Sequence, residues 1–142
     1  MRFFYAAIVI IALALLYIRF APSDAARWHV DPQGAADPGR GGVVLRVSLA
    51  DSPRQALARF DRVARSAPRI TVLAGSIEAG HITYVARSKW LGFPDYITVK
   101  ALAAGAKSEL VILSRLRFGQ SDLGVNRARL ENWLEALQPA QN

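Results

Sequence analysis

The chain has 142 residues, of which 52% are hydrophobic and 20% charged, and a formal net charge of +7 at pH 7. This length is typical of a single domain. The absence of cysteine excludes a disulfide framework, a cysteine nucleophile and a lipidated N-terminal cysteine. With only His29 and His81 present, we expect no metal site and no cofactor.

The first predicted element is an apolar run over residues 3–18 that contains no charged side chain. A membrane-spanning helix needs about 20 apolar residues, and Arg19 can lengthen the run because its aliphatic stem lets the charged end reach the interface. We therefore predict a transmembrane anchor over residues 1–20. A cleaved signal peptide is the competing interpretation, but Ser23-Asp24-Ala25 matches a cleavage site poorly. A short basic N-terminus before a long apolar run is typical of a signal anchor, which predicts that the rest of the chain lies outside the cytoplasm.

Residues 21–42 are rich in proline and glycine and predict a linker with little regular structure. A domain of α+β class follows over residues 43–138, and residues 139–142 form a tail. Alternating apolar residues predict strands over residues 43–49, 70–76, 81–90, 96–102 and 109–118. A capping signal at Asp51-Ser52-Pro53 begins a helix that runs to about Ala67, and a second helix is predicted over residues 125–137. The short connections predict an antiparallel sheet of four to five strands packed with two helices.

The first of these helices carries a basic face. Arg54, Arg62 and Arg65 lie on it, and Arg69 follows just beyond the helix. The simpler interpretation is a solvated surface. The functional alternative is attraction to anionic lipid headgroups. We expect no nucleic-acid partner, because the arginines are not interleaved with aromatic residues and no known binding module is present.

The junction between the last strand and the last helix, residues 114–129, concentrates hydroxyls, charges and two glycines. It resembles the pattern S-x-S-R-x-G-x-S-D-x-G-x-N-x-x-R of the bacterial family called domain of unknown function 1499. Leu116 departs from this pattern, where the family has a second serine, and Tyr96 departs from an upstream turn at Phe93-Pro94-Asp95-Tyr96, where a second aspartate is common. The matching residues are Ser114, Arg117, Gly119, Ser121, Asp122, Gly124, Asn126 and Arg129.

The resemblance implies kinship over residues 43–138 and a bacterial protein, but no activity. We take Asp95, Ser114, Arg117, Ser121, Asp122, Asn126 and Arg129 as candidate binding residues. Their structural interpretation is an arginine, Arg117 or Arg129, paired with Asp95 or Asp122. Their functional interpretation is an anion site at the start of the last helix, for which a lipid phosphate is a natural ligand.

An enzyme is the less favoured interpretation, and we name no catalytic residue. A hydrolase would use the junction of Ser114 and Asp122, but a serine nucleophile needs an activating base, and His81 is the only candidate histidine in the domain. The sequence therefore predicts a membrane-anchored, non-catalytic binding or accessory module of the cell envelope. We expect a single pass through the bacterial inner membrane, with the domain on the periplasmic side.

Overall fold

The computed structural model describes residues 1–138, so the predicted tail, residues 139–142, lies outside the described part. Five antiparallel strands form one open sheet in the order β1-β5-β4-β3-β2. The predicted α+β class is therefore confirmed, with five strands. The strands are β1 (Gly42–Leu49), β2 (Ile70–Ser76), β3 (His81–Arg87), β4 (Pro94–Ala104) and β5 (Lys107–Leu116).

The turn between β3 and β4 differs from the sequence prediction. β3 ends at Arg87 rather than Trp90, and β4 begins two residues early, at Pro94. Ser88 closes this turn, because its N–H donates to the carbonyl of Phe93 and its hydroxyl accepts from the Phe93 N–H, both at 3.0 Å. These bonds reverse the chain directly after the last ladder pair, Arg87 with Pro94, so residues 88–93 form a loop.

Two helices cover one face of the sheet. α3 (Pro53–Ser66) begins at a capping box in which Ser52 and Gln55 satisfy each other's free backbone N–H groups. α4 (Val125–Leu137) crosses the same face. The apolar stripes of both helices pack on the sheet as their spacing predicts. The fully buried core includes Leu57, Phe60, Ile82, Ile97, Ile112 and Leu130.

The predicted linker lies on the opposite face of the sheet. It contains the short helix α2 (Ala25–Trp28) and two 3₁₀ turns, Pro32–Gly34 and Gly39–Gly41. Trp28 is 6% exposed and stacks on Tyr96 of β4, with ring centroids 3.9 Å apart. Proline and glycine kept this segment from forming long elements, but it carries the aromatic side chain that covers the second face. The domain boundary at residue 43 stays a prediction.

The N-terminal helix α1 (Arg2–Phe20) is long and apolar enough to cross a membrane, and none of its residues is buried by the rest of the chain. A core helix of similar composition would be covered by other elements. Ala21, directly after α1, is only 2% exposed. The apolar helix therefore leads into the folded domain without an intervening free segment.

Candidate functional site

The junction between β5 and α4 is shaped by Asp122. Its carboxylate accepts from the N–H of Gly124 at 2.9 Å and from the N–H of Asn126 at 3.1 Å. Gly124 has φ +80°, a left-handed conformation that residues with a Cβ rarely adopt. Burial raises the pKa of Asp122, but these hydrogen bonds outweigh it and hold the pKa below its usual value. The helix N-terminus is thus occupied by the chain's own carboxylate.

Behind this turn, four of the candidate residues form one network on the helix-covered face. The hydroxyl of Ser114 donates to Oδ1 of Asn126, and both residues are fully buried. Arg129 donates to the same Oδ1 at 2.9 Å and to Oδ2 of Asp95 at 3.3 Å. The side chains of Arg129 and Asp95 are 19% and 17% exposed. The network joins the start of β4, the end of β5 and the first turns of α4.

Asp95 is the member of this network whose charged form is disfavoured by burial. Burial raises its pKa, and the positive charge of Arg129 opposes that shift without cancelling it. Nδ2 of Asn126 is buried and has no hydrogen-bond partner within the described residues. Of the pairings left open by the sequence, the structure contains Arg129 with Asp95. This ion pair connects α4 to the start of β4, and we call it the staple.

Arg117 lies apart from the other candidates. Successive residues of a strand face opposite sides, and Arg117 extends past the face that carries Tyr96. Its Nη1 donates to the carbonyl of Pro22 at 2.7 Å and to the hydroxyl of Tyr96 at 3.1 Å. The expected carboxylate partner for Arg117 is absent within the described residues. Its contacts tie the chain after α1 to the end of the sheet.

The serines are not brought to a histidine. Ser114 is on the helix-covered face and bonds to Asn126, whereas the hydroxyl of Ser121 accepts from the N–H of Leu123 at 3.3 Å. His81 is on the other face, where a ring nitrogen bonds to the carbonyl of Val30 at 3.0 Å. Within residues 1–138, no group of three or more His, Asp or Glu side chains is placed to hold a metal ion.

The second face carries polar contacts between residues that no sequence pattern had linked. The rings of His29 and His81 stack with centroids 3.9 Å apart, and Nδ1 of His29 bonds to the hydroxyl of Thr83 at 2.8 Å. Gly75 makes room for this pair, because a Cβ there would lie 2.9 Å from His29 Cε1. Burial, and then the charge of His29, lower the pKa of His81. The pair fastens the N-terminal segment to the sheet.

A cleft of about 450 Å³ lies where α1 meets the sheet. Its lining includes Arg19, Arg69, Arg87 and Lys89, and among residues 1–138 no acidic residue lines it. Sequence reasoning missed this set, because its members come from three separate segments: the end of α1, residue 69, and residues 87–89. Of the four arginines proposed for the basic face of α3, only Arg69 lines the cleft.

Two of the other arginines on that face are paired with carboxylates. Arg54 contacts Glu78 at 3.0 Å, and Arg65 contacts Asp61 at 2.8 Å. Such pairing favours the solvated-surface interpretation for α3 itself. A signal that could have indicated the cleft is the pair Arg87 and Lys89 at the end of a strand that precedes an exposed Trp90.

Comparison with known families identifies one match. The model of a family described as protein of unknown function (DUF1499) matches residues 31–137. The matched range begins inside the segment that covers the second face and ends at the last residue of α4. No curated protein matches the chain.

Proposed function

The chain belongs to the DUF1499 family of proteins of unknown function, and from its geometry we propose that it is a membrane-anchored, non-catalytic module whose domain is held on the lipid surface. In this proposal α1 crosses the membrane and the domain binds or organises other components at the interface. The observation that carries the proposal is the direct attachment of α1 to the end of the sheet.

Three contacts make this attachment. Nη1 of Arg87 donates to the carbonyls of Arg19 and Gly92, each at 2.9 Å. Gly92 has φ +69°, and a Cβ there would lie 3.1 Å from Cγ of Arg19, so the loop and the helix touch closely. The rings of Tyr17 and Phe118 pack edge to face, with their centroids 6.4 Å apart. A domain tied to the last turn of its anchor cannot move far from the membrane surface.

The end of the sheet beside α1 also has the composition of an interfacial surface. Trp90 is 81% exposed, Leu91 43% and Leu123 91%. Tryptophan favours the boundary between lipid headgroups and acyl chains, because its ring is apolar and its N–H is polar. Exposed apolar residues at this end of the sheet are expected to enter the interface and to be covered there.

The proposal also covers the compartment and the orientation of the anchor. We propose a signal anchor in the bacterial inner membrane with the domain on the periplasmic side, supported by the basic N-terminus that precedes the apolar run. A reporter active only in the periplasm, fused after residue 142, tests this orientation. Activity of the reporter supports the proposed side, and activity of a cytoplasmic reporter at the same position overturns it.

Surface contact is tested by quenching of Trp90. The full chain is placed in phosphatidylcholine nanodiscs with and without brominated acyl chains, and the signal of Trp90 is obtained as the difference from Trp90→Phe. Bromine quenches by contact, so we expect the Trp90 signal to fall in the brominated discs.

The control is a tryptophan at the far end of the sheet. Lys107→Trp, in the Trp90→Phe background, lies on the exposed β4–β5 hairpin and should not be quenched. Equal quenching of the two positions, or none at Trp90, contradicts the proposal.

A further inference from the structure

The cleft beside α1 holds a concentration of positive charge that the protein does not neutralise. Arg19, Arg69, Arg87 and Lys89 all line it, and within residues 1–138 none of the four forms an ion pair with a carboxylate. Like charges gathered in one cleft repel each other and attract an anion. Half of the other basic side chains differ, because each contacts a carboxylate: Arg46, Arg54, Arg59, Arg65, Lys100, Arg127 and Arg129.

The donors in this cleft remain available to a ligand. Arg69 uses only Nε within the protein, to the carbonyl of Arg87 at 3.2 Å, so both of its terminal nitrogens are unoccupied in residues 1–138. The ammonium of Lys89 lies 4.9 Å from the ring centroid of Trp90 and makes no hydrogen bond to the described residues. Thr71 and Ser88 add hydroxyls to the lining. A guanidinium fork, an ammonium and hydroxyls are the donors that recognise a phosphate.

The position of the cleft favours one source of phosphate. Arg19 and Phe20 are the last residues of α1, so the cleft opens at the level where the apolar helix ends. Phe20 lines the cleft and is 72% exposed. The exposed Trp90 and Leu91 lie in the chain between the lining residues Lys89 and Gly92, so apolar side chains adjoin the cleft. A soluble phosphate compound would gain nothing from this border, whereas a phospholipid can place its phosphate among the cations and its acyl chains against the apolar residues.

We propose that this cleft binds the phosphate headgroup of an anionic phospholipid, with Arg69, Arg87 and Lys89 as the contacting cations. The inference deepens the proposed function and rests on it, because the domain must lie on the membrane for a lipid to reach the cleft. Each basic residue near an anionic surface is expected to strengthen binding about fivefold. An anionic lipid should therefore be enriched at the cleft over its share of the bilayer.

The test uses the full chain in nanodiscs of phosphatidylcholine containing about one-fifth phosphatidylglycerol, with bromine carried by only one of the two lipids at a time. Trp90 adjoins Lys89 and reports which lipid occupies the cleft. We expect brominated phosphatidylglycerol to quench Trp90 several-fold more than its mole fraction predicts. Each signal is normalised to the same variant in unbrominated discs, because Lys89 itself contacts the Trp90 ring.

The variant Arg69→Gln/Lys89→Gln should bring quenching by phosphatidylglycerol down to its mole fraction. Arg87 is left intact because it also binds α1. The matched control, Arg54→Gln/Arg62→Gln, removes the same charge from the exposed face of α3 and should retain the enrichment. Lys89→Gln alone, at a side chain without hydrogen bonds in the described residues, gives a partial loss even if the double variant folds poorly.

The outcomes separate this inference from the proposed function. Quenching of Trp90 by neither lipid overturns both. Quenching by both lipids in proportion to their mole fractions leaves the domain on the membrane and overturns the cleft as an anionic-lipid site. Loss of enrichment in millimolar inorganic phosphate, but not in potassium chloride of equal ionic strength, shows that free phosphate displaces the lipid, and overturns the lipid as the preferred ligand of the cleft.

Discussion

Removal of Arg129 is the sharpest test of the network at the start of α4. Arg129→Ala deletes the hydrogen bonds to Asn126 and Asp95 and leaves the carboxylate of Asp95 without its cation. Breaking a buried ion pair from one side costs about 3–5 kcal/mol, and an exposed pair is worth about 0–1 kcal/mol. Both partners here are roughly four-fifths buried. We therefore expect the free energy of unfolding to fall by about 2–3 kcal/mol.

The assay is urea unfolding of the full chain in mild detergent, followed by tryptophan fluorescence. With a urea slope of about 1.5 kcal/mol per molar, the midpoint should fall by about 1–2 M. The matched control is Arg127→Ala, on the same helix. Arg127 and its partner Glu131 are both 57% exposed and 3.8 Å apart, so this change should cost less than about 0.5 kcal/mol.

The deficit of Arg129→Ala should also depend on pH. Burial already raises the pKa of Asp95, and loss of the nearby cation should raise it further. A folded-state pKa above the unfolded value means that the folded protein gains stability as the pH falls, so the deficit should be smaller at about pH 5 than at about pH 8. The addition of Asp95→Asn should remove this difference. A loss no larger than that of Arg127→Ala would refute the staple.

Two further predictions concern the segment that follows α1. Arg117→Ala should lower the free energy of unfolding by about 1 kcal/mol, because two hydrogen bonds from a partly exposed guanidinium are lost. It should also speed amide exchange over residues 22–29, measured by hydrogen–deuterium exchange, whereas Arg127→Ala should not. His81 has a lowered pKa in the folded state, so protonation favours the unfolded chain, and stability should fall as the pH drops below about 6.5. His81→Gln keeps a donor for the carbonyl of Val30. In this variant the urea midpoint should change less between about pH 7.5 and 5.5 than it does in the unmodified protein.

Each of these two predictions has an outcome that contradicts it. Unchanged exchange over residues 22–29 in Arg117→Ala would show that the aromatic stack alone holds the segment on the sheet. For His81, the neighbouring charges are His29, Asp31 and Lys100. The pKa of Asp31 is lowered, chiefly by its hydrogen bond from Lys100, so Asp31 titrates below the tested range. An unchanged pH dependence in His81→Gln would therefore assign the effect to groups other than His81.

The sequence by itself determined the elements and their faces. Four features are local patterns: the apolar run of α1, the alternation in β1, the capping signal at Asp51-Ser52-Pro53 before α3, and the helical spacing of Leu130, Trp133 and Leu137. Each depends on residues within a few positions of one another, so periodicity and capping chemistry are enough to predict them. The junction motif likewise predicted the residues that contact one another between β5 and α4, such as Ser114 with Asn126 and Asp122 with Gly124.

Only the tertiary structure decided which distant residues meet. Arg129 is stapled to Asp95 across 34 positions, and Arg117 reaches Pro22 across 95. The segment rich in proline and glycine packs on the second face because Trp28 stacks on Tyr96, a contact that exists only in the assembled sheet. The basic cleft joins residues 19 and 69 to the pair 87 and 89, and these three segments meet only when the α1 end of the sheet is built. Such contacts depend on strand order and on how the chain returns to the sheet, and no local pattern in the sequence encodes them.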